Sequence, residues 1–222
     1  MFFMGERSWQ SPMVKMDNIH LAFDGKPLFS NFFLTIGPGE KVILNAPSGR
    51  GKSSLVKMMM GFVRPDIGEI FIDSQRLTPG TRIECRSKIS YVSQDVDLRD
   101  EGVGTLIEEI FAYRVNKNSL YTPTALLQAM DRFDLDPKML KKQVGELSGG
   151  ERQRLGFIIC LLLDRKIWVL DEVTSALDET LKRKVVEAVA AAASTVVIIS
   201  HDNIWACQDT WKSMQMPRHI AF

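Results

Sequence analysis

Cysteine is scarce: Cys85, Cys160 and Cys207 are the only three in 222 residues, far apart and in no C-x-x-C pair. That excludes a disulfide framework and a cysteine-based zinc site, and it fits a reducing compartment with small apolar residues inside a core. An excess of one charge is also lacking, since Lys+Arg 28 against Asp+Glu 27 leaves a net charge of +1. Nothing in that balance argues for nucleic acid or anionic lipid as a partner. Long hydrophobic runs are missing too. The longest, Phe157 to Leu163, falls far below the roughly 18 residues of a membrane span, and Met1 to Arg7 has too short an apolar segment for a signal peptide. A cytoplasmic chain is expected, reaching a membrane only through a separate protein. There is no internal repeat, and Ala188 to Ala193 is simply a good helix former.

What is present is 45% apolar and 25% charged residues, enough for one α/β domain with a substantial core. Residues 1–12 read as a loose tail. Met13 to Phe23 alternates apolar and polar residues, which predicts an antiparallel strand; Asp24-Gly25-Lys26-Pro27 reads as a turn and Phe32 to Ile36 as the next strand. Gly37 to Glu40 turns tightly into the apolar run Val42-Ile43-Leu44. Short strands are expected near Glu69–Asp73 and Lys88–Val92. From about 95 to 145 the periodicity becomes helical (Thr105 to Arg114, Pro123 to Phe133), which predicts an inserted helical subdomain. The α/β pattern resumes with a strand at Ile167–Leu170, a helix from about Glu179 to Ala193 and a strand at Thr195–Ile199. The division expected is a core with a β subdomain over 13–94 and 146–222, interrupted by helices over 95–145.

The stretch Ala46-Pro47-Ser48-Gly49-Arg50-Gly51-Lys52-Ser53-Ser54 lies between the run ending at Leu44 and a helical pattern containing Leu55, Val56, Met58 and Met59. Strand, glycine-rich loop and helix together are the context of a phosphate cradle, a P-loop. Gly49 and Gly51 allow successive N–H groups of Ser48 to Ser54 to converge on an anion, and the helix start adds partial positive charge. Lys52 is suited to the β- and γ-phosphates and Ser53 to Mg²⁺. The strict pattern has Gly where this chain has Ala46. A plain strand–helix turn is the alternative reading of the same residues.

Ile167 to Leu170 reads as a central parallel strand buried on both faces, ending in Asp171-Glu172. Ligands of open parallel sheets bind beyond the carboxyl ends of the strands. Asp171 suits a water-mediated Mg²⁺ role and Glu172 the polarisation of an attacking water, although acids also end strands as solvated groups. Gln94 follows the strand near Lys88; its amide could reach Mg²⁺ or the attacking water, or be an ordinary surface amide. His201 follows Thr195–Ile199 and would reach the γ-phosphate from the edge that carries Glu172, or merely pack there. Leu147-Ser148-Gly149-Gly150-Glu151-Arg152-Gln153-Arg154 is a second glycine-rich helix start. Ser148, Gly149 and Gly150 offer it as an anion site, a reading that spacing alone does not separate from an N-cap at Ser148.

The set Ala46–Ser54, Gln94, Leu147–Arg154, Ile167–Glu172, Ser175-Ala176-Leu177-Asp178 and His201 resembles, in order and over nearly the whole chain, the ATP-binding cassette (ABC) family. Those segments look like its Walker A, Q-loop, signature, Walker B, D-loop and H-loop. The resemblance implies a P-loop NTPase core and a head-to-tail homodimer holding two Mg-ATP, each between one chain's phosphate loop and the other's Ser148 and Gly150. It implies that Phe23, where Tyr is more usual, stacks on adenine. It also implies that the helical subdomain receives a coupling helix of an integral membrane permease, with the chain peripheral on the inner face of the membrane. Within the family, Asp171 to Glu179 resembles small stand-alone cassettes paired with iron-export-type permeases. With 21 residues after His201, no appended regulatory domain is expected. The rival is a soluble cassette serving repair, translation or assembly. Against it, no sustained heptads lie between the two glycine motifs and only one cassette is present.

Overall fold

The computed structural model describes residues 11–45, 51–96, 98–207 and 210–215. The chain opens with a long hairpin, β1 (Val14–Phe23) and β2 (Lys26–Ile36). Asp24 and Gly25 form its two-residue loop with φ of 50° and 74°, the twist-matched turn that aspartate and glycine tolerate. Lys26 and Pro27, read from sequence as turn, therefore belong to β2, which begins six residues before Phe32. Pro27 is tolerated because β2 is the outer strand of its sheet, where a missing N–H disrupts little. Asn18 and Asn31 have positive φ, and the β1–β2 register shifts between Met16 and Ile19; such irregularities blur the alternation that marks a strand.

The chain then forms β3 (Lys41–Asn45), α1 (Lys52–Met59), β4 (Ile67–Ile72) and the two-residue β5 (Gln75–Arg76). A short α2 (Arg82–Ser87) leads into β6 (Ile89–Val92). Within the segment expected to be helical lie α3 (Val103–Ala112) and α4 (Pro123–Arg132), the latter capped by Thr122, whose Oγ1 accepts from Ala125 N. The last third alternates α5 (Gly149–Leu163), β7 (Ile167–Asp171), α6 (Glu179–Ala191), β8 (Thr195–Ile199) and β9 (Lys212–Gln215). Three elements were not foreseen: β5, α2 and β9. Three helices stop short of their expected ends, α3 at Ala112, α4 at Arg132 and α6 at Ala191.

Two sheets result. The antiparallel one runs β2-β1-β4-β5 and the parallel one β6-β7-β8-β3-β9. Side chains of β7 and β8 alternate between two cores. Trp168, Leu170, Val196 and Ile198 face α5, α6 and the helical segment. Ile167, Val169, Val197 and Ile199 face α1 and the antiparallel sheet, where Met58 and Met59 are core filling. Each such side chain fully buried contributes about 1.5–3 kcal/mol before conformational entropy is counted. Cys85 and Cys160 are buried free thiols, and burial pushes the Cys160 thiol up to about 12, so it stays protonated and inert.

At Gly68, β4 lies directly against the backbone of β1. The glycine has φ +99°, and a Cβ there would stand 2.4 Å from the carbonyl oxygen of Asn18 and 2.5 Å from that of Asp17. Gly68→Ala is expected to destabilise the protein by about 1–3 kcal/mol from backbone strain alone, with separation of β1 and β4 adding to it. Urea denaturation checks this; an unchanged midpoint would show that the sheet can open there at no cost.

Candidate nucleotide site

The strand order explains which residues meet. Because β8 lies between β7 and β3 and all three are parallel, the segments leaving their carboxyl ends emerge side by side. The loop after β3 leads to Gly51 and Lys52, β7 ends in Asp171 before Glu172, and β8 is followed by Ser200 and His201. Lys52 Nζ lies 3.1 Å from His201 Nε2 and 3.5 Å from Glu172 Oε1, and His201 Nε2 is 3.9 Å from the same carboxylate oxygen. With Lys52 an ammonium, the ring nitrogen accepts its hydrogen bond. Three residues far apart in sequence thus form one small cluster at the sheet edge.

Gly51 has φ +86° and precedes the first residue of α1. A Cβ at this position would come within 3.0 Å of the Phe29 ring and 3.1 Å of Leu28, so the helix start packs directly on β2 and glycine is required twice over. Ser53 is exposed and Ser54 partly so, in the first turn of α1. Ala46, Ser48, Gly49 and Arg50 lie outside the described residues. Phe23, at the end of β1 beside the hairpin turn, is 49% exposed, leaving a ring face accessible.

Glu172 is 9% exposed and has φ +50°, a conformation that disfavours a residue with a Cβ by roughly 1–2 kcal/mol. Its N–H donates to Ile199 O at 2.8 Å, and Ser200 Oγ donates to its Oε2 at 3.2 Å. Asp171, 8% exposed, accepts a long 3.4 Å hydrogen bond from Tyr91. Burial pushes the Asp171 carboxyl up, and the neighbouring Glu172 adds to this while Lys52 pulls it back. Burial and Asp171 in turn push Tyr91 up to about 12. A carboxyl raised in the folded state binds protons that the unfolded chain has released, so stability falls as pH rises from the unfolded value toward the folded one. At neutral pH the ionised Asp171 therefore strains the fold. Asp171→Asn is expected to raise the melting temperature at pH 7, by about 2–4 °C for each kcal/mol relieved, while abolishing the carboxylate. Calorimetry at pH 7 checks it; a lowered melting temperature would mean that attraction to Lys52 outweighs desolvation.

The second glycine-rich segment begins α5. Ser148 caps it, accepting from Glu151 N at 3.2 Å, while Glu151 accepts from Ser148 N at 2.8 Å, a reciprocal capping box. The cap leaves the helix start open: Ser148 and Gly149 are exposed, and a Cβ at Gly149 would meet nothing within 4 Å. Gly150 is closer to its surroundings, 3.3 Å from Ala176 O to a built Cβ. Gln94 is exposed in the turn after β6 and shares a polar cavity of about 220 Å³ with Gly149, Arg152, Gln153 and Ser175. The structure thus brings Gln94 to the start of α5 and to the loop after β7.

Several contributors were not singled out from sequence. Gln153 lies inside the quoted octapeptide, yet its buried position gave no signal. Arg154 ties α5 to the end of α4 by donating to Phe133 O at 3.2 Å and Asp134 O at 2.9 Å. Asp202 joins three segments, accepting from Thr174 Oγ1 at 3.1 Å and Lys182 Nζ at 2.8 Å. Burial alone would raise its carboxyl, but the bonds from Lys182, Ile204 N and Thr174 hold it below its ordinary value. That contribution to stability is lost as pH falls through the folded value.

A model of the ABC transporter family matches residues 29–175. The chain belongs to the ABC transporter family. It is 33% identical over 180 residues to a probable iron export ATP-binding protein, FetA, of Escherichia coli, covering 81% of this chain and 78% of that one. It is 30% identical over 200 residues to the energy-coupling factor transporter ATP-binding protein EcfA1 of Mycoplasmopsis synoviae, covering 86% and 74%. Among solved structures, an ATP-bound bacterial Atm1-family ABC exporter shares the fold with a TM-score of 0.79 at 24% identity, over 93% of this chain and 37% of that one. A dimer of the ATP-binding cassette MJ0796 with ADP and Pi does so with a TM-score of 0.76 at 24% identity, over 93% and 97%. The cassette is of the ABC ATPase type. Among its described residues no helix is long and apolar enough to cross a membrane.

Proposed function

We propose that this cassette binds Mg-ATP, dimerises around it, hydrolyses it, and drives transport through a separate integral membrane permease. The observation that carries the reading is the convergence of Lys52, Glu172 and His201 at the carboxyl edge of the parallel sheet, 3.1 and 3.5 Å apart about one ammonium. A polyphosphate entering at Gly51 would take up the Lys52 charge and the N–H groups of the helix start, with Ser48, Gly49, Arg50, Ser53 and Ser54 completing the cradle. Glu172 then faces the terminal phosphate as the base that orients water, and His201, 3.9 Å from that carboxylate, contacts the same phosphate from the same sheet edge. Phe23 offers its open ring face to adenine.

The donor set fits a nucleotide-borne Mg²⁺. Among the described residues no cluster of three or more His, Cys, Asp or Glu could hold a metal by itself. One hydroxyl (Ser53) and one carboxylate (Asp171) are what a magnesium keeping its waters and phosphate ligands needs from protein; the Gln94 amide, which lines the cavity at the start of α5, would add to them from there. When bound, the ion neutralises phosphate charge. Its charge would also offset the cost of keeping the Asp171 carboxylate buried.

The exposed start of α5 lies on the cavity shared with Gln94 and Ser175 and not in the Lys52 cluster. This favours Ser148, Gly149 and Gly150 serving the nucleotide of a second copy. Tyr113, Val115 and Leu120 leave apolar surface exposed on the helical subdomain, where the permease would dock; the cassette would then sit on the inner face of the membrane. Phosphate release by the purified protein, and capture of an integral membrane protein from detergent-solubilised membranes, test the two halves. Phosphate release with no integral membrane protein captured would leave an ATPase of a soluble assembly and remove the transport role.

A further inference from the structure

We propose that Gln153 is a positioning residue that holds Glu172 in register with Lys52. It is 3% exposed on α5, and its amide bonds only to the loop that follows β7. Nε2 donates to Glu172 O at 2.8 Å and to Ser175 Oγ at 3.2 Å, and Oε1 accepts from Ala176 N at 3.2 Å. Both amide hydrogens and one lone pair are thereby committed to three residues within the five of Glu172–Ala176. The segment needs such a tether, because Glu172 has φ +50° and a residue with a Cβ drifts from that conformation unless its surroundings over-determine it. The N–H side of Glu172 is fixed by Ile199 O at 2.8 Å on β8. Gln153 fixes the carbonyl side from α5. With both sides held, the carboxylate stays within reach of Lys52 Nζ and Ser200 Oγ.

The geometry also places Gln153 little more than one helical turn from the Ser148 cap. The helix whose start is proposed to meet the second copy's nucleotide therefore carries the anchor of this copy's own carboxylate. A displaced catalytic group costs about 10²-fold per ångström, so the effect falls on turnover and leaves ATP binding alone. The inference rests on the reading of Glu172 as the base.

Gln153→Met keeps the length of the side chain and removes all three hydrogen bonds. Gln153→Glu keeps an acceptor for Ala176 N and removes the donor to Glu172 O; it serves also if the methionine variant folds poorly. In the full-length protein, amide exchange of Ala176 is expected to speed up at least tenfold in Gln153→Met and much less in Gln153→Glu. Both variants are expected to lose about 10- to 100-fold in kcat for ATP, with KM within about twofold of the parent. Unchanged exchange at Ala176 would overturn the tether whatever the activity. Faster exchange with unchanged kcat, or a raised KM with kcat intact, would overturn the positioning role while the parent's turnover upholds the ATPase reading. A parent protein that hydrolyses no ATP with its membrane companion would instead overturn the function proposed above, and this role with it.

Discussion

Glu172→Gln is expected to keep ATP bound while its cleavage slows by about 10²- to 10⁴-fold, the range that a positioned general base contributes. The substitution changes little else. Glutamine has the same length, its amide oxygen can still accept from Ser200 Oγ, 3.2 Å from the carboxylate in the parent, and the backbone bond to Ile199 O is untouched. What disappears is the negative charge that draws a proton from water. Removing it beside the buried Asp171 also relieves repulsion between neighbouring acids. Since nucleotide binding is left intact and its consumption is blocked, the ATP-bound form accumulates, and size-exclusion chromatography with Mg-ATP should show dimer. An unimpaired rate of phosphate release would remove Glu172 from the chemistry, and a monomer alone would undo the composite site.

Lys52→Ala is expected to weaken ATP binding by about 1.5–3 kcal/mol for the lost charge-assisted contacts, roughly 10- to 150-fold in Kd. Lys52 is the cation shared by His201 and Glu172, and its charge offsets the buried Asp171. Its removal therefore leaves two acids largely out of water without compensation, which also costs stability. Lys52→Arg separates the two effects. It restores the charge and much of the stability, but its planar head does not reproduce a compact ammonium at the phosphates, so affinity should recover only in part. Titration with a fluorescent ATP analogue, alongside melting temperatures, checks this. Unchanged affinity in Lys52→Ala would take the phosphate loop out of its assigned role.

The parallel sheet was readable because β7 and β8 are apolar without interruption, as strands buried on both faces must be, and because each ends in polar residues that the sheet delivers to one edge. The meeting of Glu172 and His201 followed from that edge. Elements with little burial of their own were not readable. The strand β9 (Lys-Ser-Met-Gln) is the outermost of its sheet and owes its place to backbone pairing with β3, which no side-chain period reveals. The helix α2 is six residues long with Cys85 as its only buried residue. The early start of β2 was hidden by Pro27, read as punctuation although an edge strand tolerates it. Gln153 was hidden for a different reason. A glutamine between Arg152 and Arg154 reads as one more polar residue of the helix start and signals nothing until the loop Glu172–Ala176 is folded against it, because its importance lies in partners about twenty residues away.

The central claim, that ATP is held between Gly51–Lys52 of one copy and Ser148–Gly150 of another, is tested most directly by a crystal structure of the Glu172→Gln protein with Mg-ATP. The account predicts a head-to-tail dimer with two nucleotides, each touching Lys52 of one chain and Ser148 of its partner. A nucleotide bound by a single chain, or one contacted by Lys52 and Ser148 of the same chain, would contradict it.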